Sequence, residues 1–140
     1  MANVIYNSFK KKIMDGSIDL DTDTIKVALV TSSYTPDQDV HDFFDDITNE
    51  VTGTGYSAGG GSLATKTVTQ DNTNDKGVFD ADDLTWSTST ITARGAVIYK
   101  STGTASTSPL IAYIDFGADK VSSAGNFTIQ WAAGGILTLA

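Results

Sequence analysis

The second half of the sequence is a series of short strand-forming segments separated by turn-forming residues. From Leu63 onward no segment has helical periodicity, and Gly, Asn and Asp recur between the apolar runs as they do in turns. Short strands at nearly regular spacing are typical of an antiparallel sandwich or barrel. The predicted strands are residues 63–70, 77–80, 84–87, 90–100, 108–116, 126–131 and 136–139.

The first half of the sequence adds helical and loop segments to this β-rich pattern. Residues 1–16 predict an N-terminal helix, with Asn3 as its N-cap and Gly16 just beyond its end. Residues 24–30 predict a central strand that is apolar on both faces, and residues 37–48 predict a second short helix. We therefore expect one mainly β domain, residues 1–140, folded as an antiparallel β-sandwich or partly open barrel with an N-terminal helix and one short inserted helix.

A glycine-rich loop interrupts the chain between the predicted second helix and the later strands. Residues 51–62 contain five glycines, which give the backbone unusual conformational freedom. We expect this loop to be the most mobile segment, or to become ordered on a partner.

The charge balance and the absence of cysteine exclude several classes of function. The 140 residues contain 17 Asp and Glu against 9 Lys and Arg, which gives a formal net charge of −8. Nucleic-acid binding depends on clustered basic side chains, and anionic membranes repel an acidic surface. Without cysteine, thiolate catalysis and thiolate metal sites are impossible. We expect neither nucleic-acid nor membrane binding, and no secretory signal or transmembrane span is visible.

Sequence motifs for catalysis or cofactor binding are incomplete. Asp19, Asp21 and Asp23 have the spacing of a calcium loop, but the glycine and glutamate that such a loop needs are missing. The sequence of residues 53–58 matches a loose dinucleotide fingerprint, yet more glycines follow where a helix is required. His41 is the single histidine, and no serine lies in a nucleophile elbow. We expect no enzymatic activity, no cofactor and no metal.

The aromatic residues and the apolar C-terminal segment suggest packing or subunit contact. The residues Trp86, Tyr99, Tyr113 and Trp131 could form a sugar-stacking platform, although core or interface positions are more usual for such side chains. Residues 136–140 are apolar apart from Thr138, which predicts a strand paired within the sheet or against a neighbouring subunit.

Seven segments spread along the chain carry one recognisable overall pattern: residues 1–7, 18–30, 34–36, 50–56, 79–83, 90–94 and 113–117. Together they resemble a family of small structural proteins of tailed bacteriophages. The resemblance runs over nearly the whole chain and is one of overall pattern, without a catalytic signature. It implies a virion component made in the bacterial cytoplasm, either a capsid decoration protein or a tail component.

A decoration protein fits the residues better than the alternatives. Such a protein binds the major capsid protein in many copies, commonly as a trimer, and needs no active site. We expect Phe9 with Lys10, Lys11 and Lys12 to contact an acidic shell surface, and Trp131, Leu137 and Leu139 to contribute to contacts between copies. The alternatives are a tail-tube or tail-completion protein, and a carbohydrate-binding receptor module on a tail fibre.

Overall fold

The computed structural model describes residues 2–140 and contains two antiparallel sheets that do not close into a barrel. One α-helix and two 3-10 turns, Phe44–Asp46 and Ala105–Thr107, complete the secondary structure of this range. The elements are β1 (Val4–Ile5), α1 (Asn7–Met14), β2 (Ile25–Val30), β3 (Gly61–Ser62), β4 (Thr67–Asp71), β5 (Lys76–Asp80), β6 (Leu84–Lys100), β7 (Leu110–Ile129) and β8 (Leu137–Leu139). The predicted mainly β, sandwich-like class is confirmed.

The larger sheet has the order β1-β7-β6-β2-β3, and the smaller sheet has the order β4-β5-β8. In the larger sheet β2 lies beside β6, with Ile25 opposite Lys100 and Val30 opposite Gly95. This strand is buried on both faces, as its continuous apolar sequence predicts. In the smaller sheet β8 pairs with β5 through Leu137 and Phe79, so the C-terminal strand is paired within the chain.

The β6–β7 hairpin is long and sharply bent. Its register moves from Gly95 opposite Asp115 to Ala93 opposite Lys120, so β7 carries extra residues at this point. Phe116 and Phe127 lie on either side of the bend, and their ring centroids are 6.2 Å apart. A straight strand would separate residues eleven apart by roughly 36 Å. The hairpin therefore folds over on itself, and its two halves share one core.

The hydrophobic residues form two clusters, one on each side of the larger sheet. The larger cluster joins α1, β2, β5 and both halves of the hairpin, and includes Phe9, Leu29, Phe79, Trp86 and Ile111. The smaller cluster packs tyrosines against the opposite face of β2 and β6. The end of the glycine-rich loop runs beside β2 at close range, because a Cβ on Gly60 would lie 1.8 Å from the Val27 carbonyl oxygen.

Two predictions for the first half of the chain are wrong, each for a local reason. The helix begins at Asn7 with Tyr6 as N-cap, because Val4 and Ile5 pair with β7 and leave Asn3 outside the helix. The predicted second helix, residues 37–48, is a loop that contains only the 3-10 turn Phe44–Asp46. Two of its apolar residues, Phe44 and Ile47, are partly buried against the tyrosine cluster from an irregular backbone, whereas Val40 is exposed.

The strands after residue 84 are fewer and longer than predicted. Residues 84–87 and 90–100 form the single strand β6, and residues 108–116 and 126–131 largely merge into β7. The turn-forming residues Gly117, Ala118 and Asp119 lie in the bend of β7, so they produce a bulge instead of a chain reversal. No helix in residues 2–140 has both the length and the apolarity needed to cross a membrane.

Candidate assembly surfaces

The acidic turn at residues 19–23 is held by contacts within the chain. Asp23 accepts a hydrogen bond from the Asp19 backbone N–H at 2.8 Å and forms an ion pair with Lys100 at 2.9 Å. Hydrogen bonds from Asp21 and Thr22 lower the pKa of Asp19. Within residues 2–140, His, Asp and Glu side chains do not form a group of three that could hold a metal ion.

His41 lies at the end of a hydrogen-bonded chain of buried side chains. Its Nδ1 accepts a hydrogen bond from the Asp37 backbone N–H at 3.1 Å and is 3.0 Å from the Tyr34 hydroxyl. Because the backbone N–H can only donate, Nδ1 is the acceptor, so the Tyr34 hydroxyl donates to it. The Tyr6 hydroxyl lies 2.8 Å from that of Tyr34. Burial raises the pKa of Tyr34 to about 12, so this phenol stays protonated and fixes the loop that carries His41.

The aromatic residues proposed as a sugar platform lie in different places. Trp86 is buried beside Tyr56 and Phe127, and Tyr99 stacks on Phe44 with ring centroids 4.2 Å apart. Tyr113 is buried in the tyrosine cluster. Trp131 is the half-exposed member of the four, so no shared platform of these rings exists.

The N-terminal helix presents its lysines but not its phenylalanine. Phe9 is buried in the main core, which corrects its expected role as a surface contact. Lys10 donates to the Asn7 side-chain oxygen at 3.0 Å, and the Lys12 ammonium lies 4.8 Å from the centre of the Phe43 ring. Lys11 is exposed. The predicted contact with a shell thus depends on these lysines.

An apolar cleft of about 560 Å³ lies in the bend of β7, and we call it the Trp131 cleft. Among the described residues that line it, Lys120 alone carries a charge. Residues 121–140, which supply most of the lining, contain no charged side chain, although the chain as a whole has 26. Its apolar lining includes Ile114, Phe116, Val121, Phe127, Trp131 and Ile136.

Two hydrogen bonds fix Trp131 at the side of the cleft. Its indole N–H donates to the Asp82 carbonyl oxygen at 3.0 Å, and its backbone N–H donates to the Asp83 carboxylate at 2.9 Å. The Asp82 backbone and the Asp83 side chain therefore position this tryptophan. On the cleft rim, Val121 is 70% exposed, which is unusual for a valine in a strand. On the side of β7 that faces away from β6, no strand within residues 2–140 pairs with the residues after Tyr113.

A second apolar surface lies on the smaller sheet and consists of Val68, Gly77 and Leu139, which we call the Leu139 patch. Gly77 lies opposite Leu139, and Val68 lies opposite Phe79. Because Gly77 and Phe79 are two residues apart on β5, they are on the same face of the sheet, and so are Val68 and Leu139. Leu139 is 75% exposed and Val68 is 52% exposed. The patch is open because Gly77 has no side chain to cover it.

The turn beside the Leu139 patch is rigid and acidic. Asp71 accepts hydrogen bonds from the backbone N–H groups of Thr73 and Asn74, at 3.0 and 3.1 Å. These bonds and one from the Asn74 side chain lower the pKa of Asp71. Asp75 follows in the same turn, and Lys76 pairs with Asp71 across the hairpin. Two carboxylates and one ammonium thus border the patch.

The structure brings some of the predicted contact residues together and separates others. Trp131 lines the cleft, Leu139 lies on the patch, and Leu137 between them is half-buried against the core. Sequence reasoning missed Phe116, Lys120, Val121 and Val68, which complete the two surfaces. Lys120 and Val121 continue the strand β7. The sequence does not indicate this continuation, because the turn-forming residues 117–119 predict that the strand before them ends.

Comparison of the chain with protein-family models, with curated proteins and with solved structures yields no match.

Proposed function

We propose that this chain is a non-enzymatic structural subunit of a tailed-bacteriophage virion, most specifically a capsid decoration protein that binds the outside of the head shell as an oligomer. The observation that carries the proposal is the separation of charge on its surface. The acids and lysines belong to residues 1–120, whereas the apolar cleft is lined mainly by residues 121–140, which carry no charged side chain, and Leu139 of the same segment contributes to the patch. A subunit that contacts both a shell and its own copies needs two chemically different surfaces of this kind.

The rigidity of the chain supports the same role. The glycine-rich loop, expected to be mobile, is anchored through Glu50, which accepts hydrogen bonds from the Tyr56 hydroxyl at 2.7 Å and the Gly59 N–H at 2.6 Å. Tyr99 donates to the Gly59 carbonyl oxygen at 2.6 Å. A loop fixed in this way binds a repeated surface without losing much conformational entropy.

The proposal is tested by locating this fold in virions of the phage that encodes the chain. We expect cryo-electron microscopy to show copies of the fold on the outer surface of the head shell. Density for the fold in stacked rings of the tail tube would replace the decoration role with the tail role. Its presence at a fibre tip would favour the receptor role, and its absence from purified virions would refute all three.

The contribution of the helix lysines can be measured on the same particles. Replacing Lys10, Lys11 and Lys12 by Gln should lower occupancy, because the exposed Lys10 and Lys11 and the half-buried Lys12 are the cations expected to meet an acidic shell. The matched control replaces Thr104, Ala105 and Ser106 by Glu, which lowers the net charge equally on an exposed loop elsewhere. Equal losses from both variants would mean that overall charge, not the helix, determines binding.

A further inference from the structure

We infer that the Trp131 cleft is the docking site for a second copy of this chain, and that the segment which enters it is the Leu139 patch of that copy. The cleft is a concave apolar surface and the patch is an exposed apolar surface. Each copy carries one of each, so a cleft meets a patch and not another cleft. The contact is therefore head-to-tail and repeats from copy to copy. This inference rests on the proposed function insofar as a decoration subunit needs a surface for its own copies.

The chemistry of the cleft selects an apolar partner with acidic borders. Its walls are Phe116, Phe127 and Trp131, and its one charge is the ammonium of Lys120. The Leu139 patch offers an exposed leucine and valine bordered by Asp71 and Asp75, with Lys76 as the opposing charge. The patch therefore has one more carboxylate than ammonium, which complements Lys120.

The net charge of the chain limits where two copies can meet. Each copy has a formal net charge of −8, so two copies repel each other wherever their acidic surfaces approach. The cleft avoids this cost because its lining comes mainly from uncharged residues 121–140. The other large exposed apolar side chains in residues 2–140, Ile5, Met14 and Val40, lie outside the cleft and the patch. The cleft, with Lys120, and the acid-bordered patch are matched in both apolarity and charge.

A head-to-tail contact predicts how variants behave alone and in mixtures. Val121→Glu places a negative charge on the cleft rim, and Leu139→Glu places one on the patch, at side chains that are 70% and 75% exposed. Each variant keeps one surface intact. When the two are mixed, the intact patch of the first can enter the intact cleft of the second. A two-fold contact through one shared surface would not be rescued in this way.

The test is size-exclusion chromatography with light scattering at about 100 µM protein, where a specific contact is populated by mass action. We expect an oligomer for the unmodified chain, monomers for Val121→Glu and Leu139→Glu, and twice the monomer mass for their equimolar mixture. Val40→Glu is the matched control, because Val40 is 66% exposed on a loop outside both surfaces. It should leave the oligomer unchanged.

The charge-free variants Val121→Ser and Leu139→Ser guard against misfolding, and they should weaken association about tenfold. An unmodified chain that remains monomeric overturns the inference, as does a mixture that stays monomeric. Val40→Glu acting as strongly as Val121→Glu also overturns it, because charge alone would then explain the effect. These measurements use no shell, so their failure is distinct from a failure of the virion proposal.

Discussion

The two halves of the β6–β7 hairpin consist of the same two strands but have different surroundings. In the half next to the connecting loop, residues 95–100 and 110–115, nearly every side chain is buried between β1, β2 and the two clusters. In the far half, residues 84–93 and 120–129, buried and exposed side chains alternate, and the outer edge of β7 has no partner strand within residues 2–140. The first half is enclosed in the core, and the second leaves alternate side chains and one strand edge exposed.

The largest expected change in the free energy of unfolding comes from replacing a glycine in the buried half, and a glycine in the far half provides the comparison. A Cβ on Gly95 would lie 2.5 Å from Tyr113 Cε2 and 2.7 Å from the Ile114 carbonyl oxygen, so the buried half cannot accept it without moving. We expect Gly95→Ala to lower the free energy of unfolding by about 3 kcal/mol or more. Chemical denaturation monitored by tryptophan fluorescence measures this change.

The matched substitution in the far half is Gly125→Ala. The nearest atom to its Cβ would be the Ser123 carbonyl oxygen at 3.6 Å, an ordinary contact distance. The free energy of unfolding should change by no more than about 0.5 kcal/mol, or rise slightly because alanine restricts the unfolded chain. Equal destabilisation by both variants would contradict the distinction between the halves.

How far the sequence predicts the fold depends on the same contrast. The strand β2 was predicted from its sequence because burial on both faces leaves a continuous apolar run, and β5 and β8 were found from their short apolar segments. The continuity of β6 was missed because its buried positions change parity, from Trp86 to Ser89, Ile91 and Ala93. The register shift between Trp86 and Ser89 produces this change, and a simple alternation cannot reveal it.

The Trp131 cleft and the Leu139 patch were only partly predictable for a related reason. Trp131 and Leu139 were identified from residue type alone, but the cleft exists because β7 bends between Phe116 and Phe127. Residues with turn-forming character can reverse a chain or bulge a strand, and the choice depends on the partner strand. Val68 becomes part of a surface only through β5, which aligns it with Leu139.

A smaller effect is expected from the buried serine pair that fixes the register shift in the far half. Ser89 is fully buried, its hydroxyl lies 2.7 Å from that of Ser122, and it donates to the Gly125 carbonyl oxygen at 3.0 Å. Ser89→Ala should lower the free energy of unfolding by about 1–2 kcal/mol, because the remaining polar groups lose a partner. Calorimetry or denaturant titration will measure it.

The control for the serine pair is Ser87→Ala on the exposed face of the same strand, which should change stability by less than about 0.5 kcal/mol. A cycle with Ser89→Ala, Ser122→Ala and the double variant should give a coupling of about 1 kcal/mol. Independent, additive effects would show that the pair does not fix the register and that the far half is held by its apolar residues alone.

The smallest effect is expected at the junction of the two halves, where Arg94 and Asp115 form an ion pair at 2.8 Å. The hydrogen bond from Arg94 and one from the Gly117 backbone N–H hold the pKa of Asp115 well below its usual range. A carboxyl group whose pKa is lower in the folded chain stabilises the folded chain above the unfolded pKa of about 4, and this stabilisation is lost as the pH falls through the folded pKa.

Asp115→Asn should therefore be less stable than the unmodified chain at pH 7. The difference should narrow as the pH falls below about 4, because the Asp115 carboxyl of the unmodified chain then takes up a proton on unfolding and its stabilisation is lost, whereas the asparagine of the variant does not titrate. Asp119→Asn, which removes an exposed carboxylate from the same bulge, is the matched control for the loss of one negative charge. Thermal unfolding followed by circular dichroism at several pH values compares the three proteins. A difference for Asp115→Asn that stays constant on acidification would mean that the bend is maintained by packing, for example between Phe116 and Phe127, and not by this ion pair.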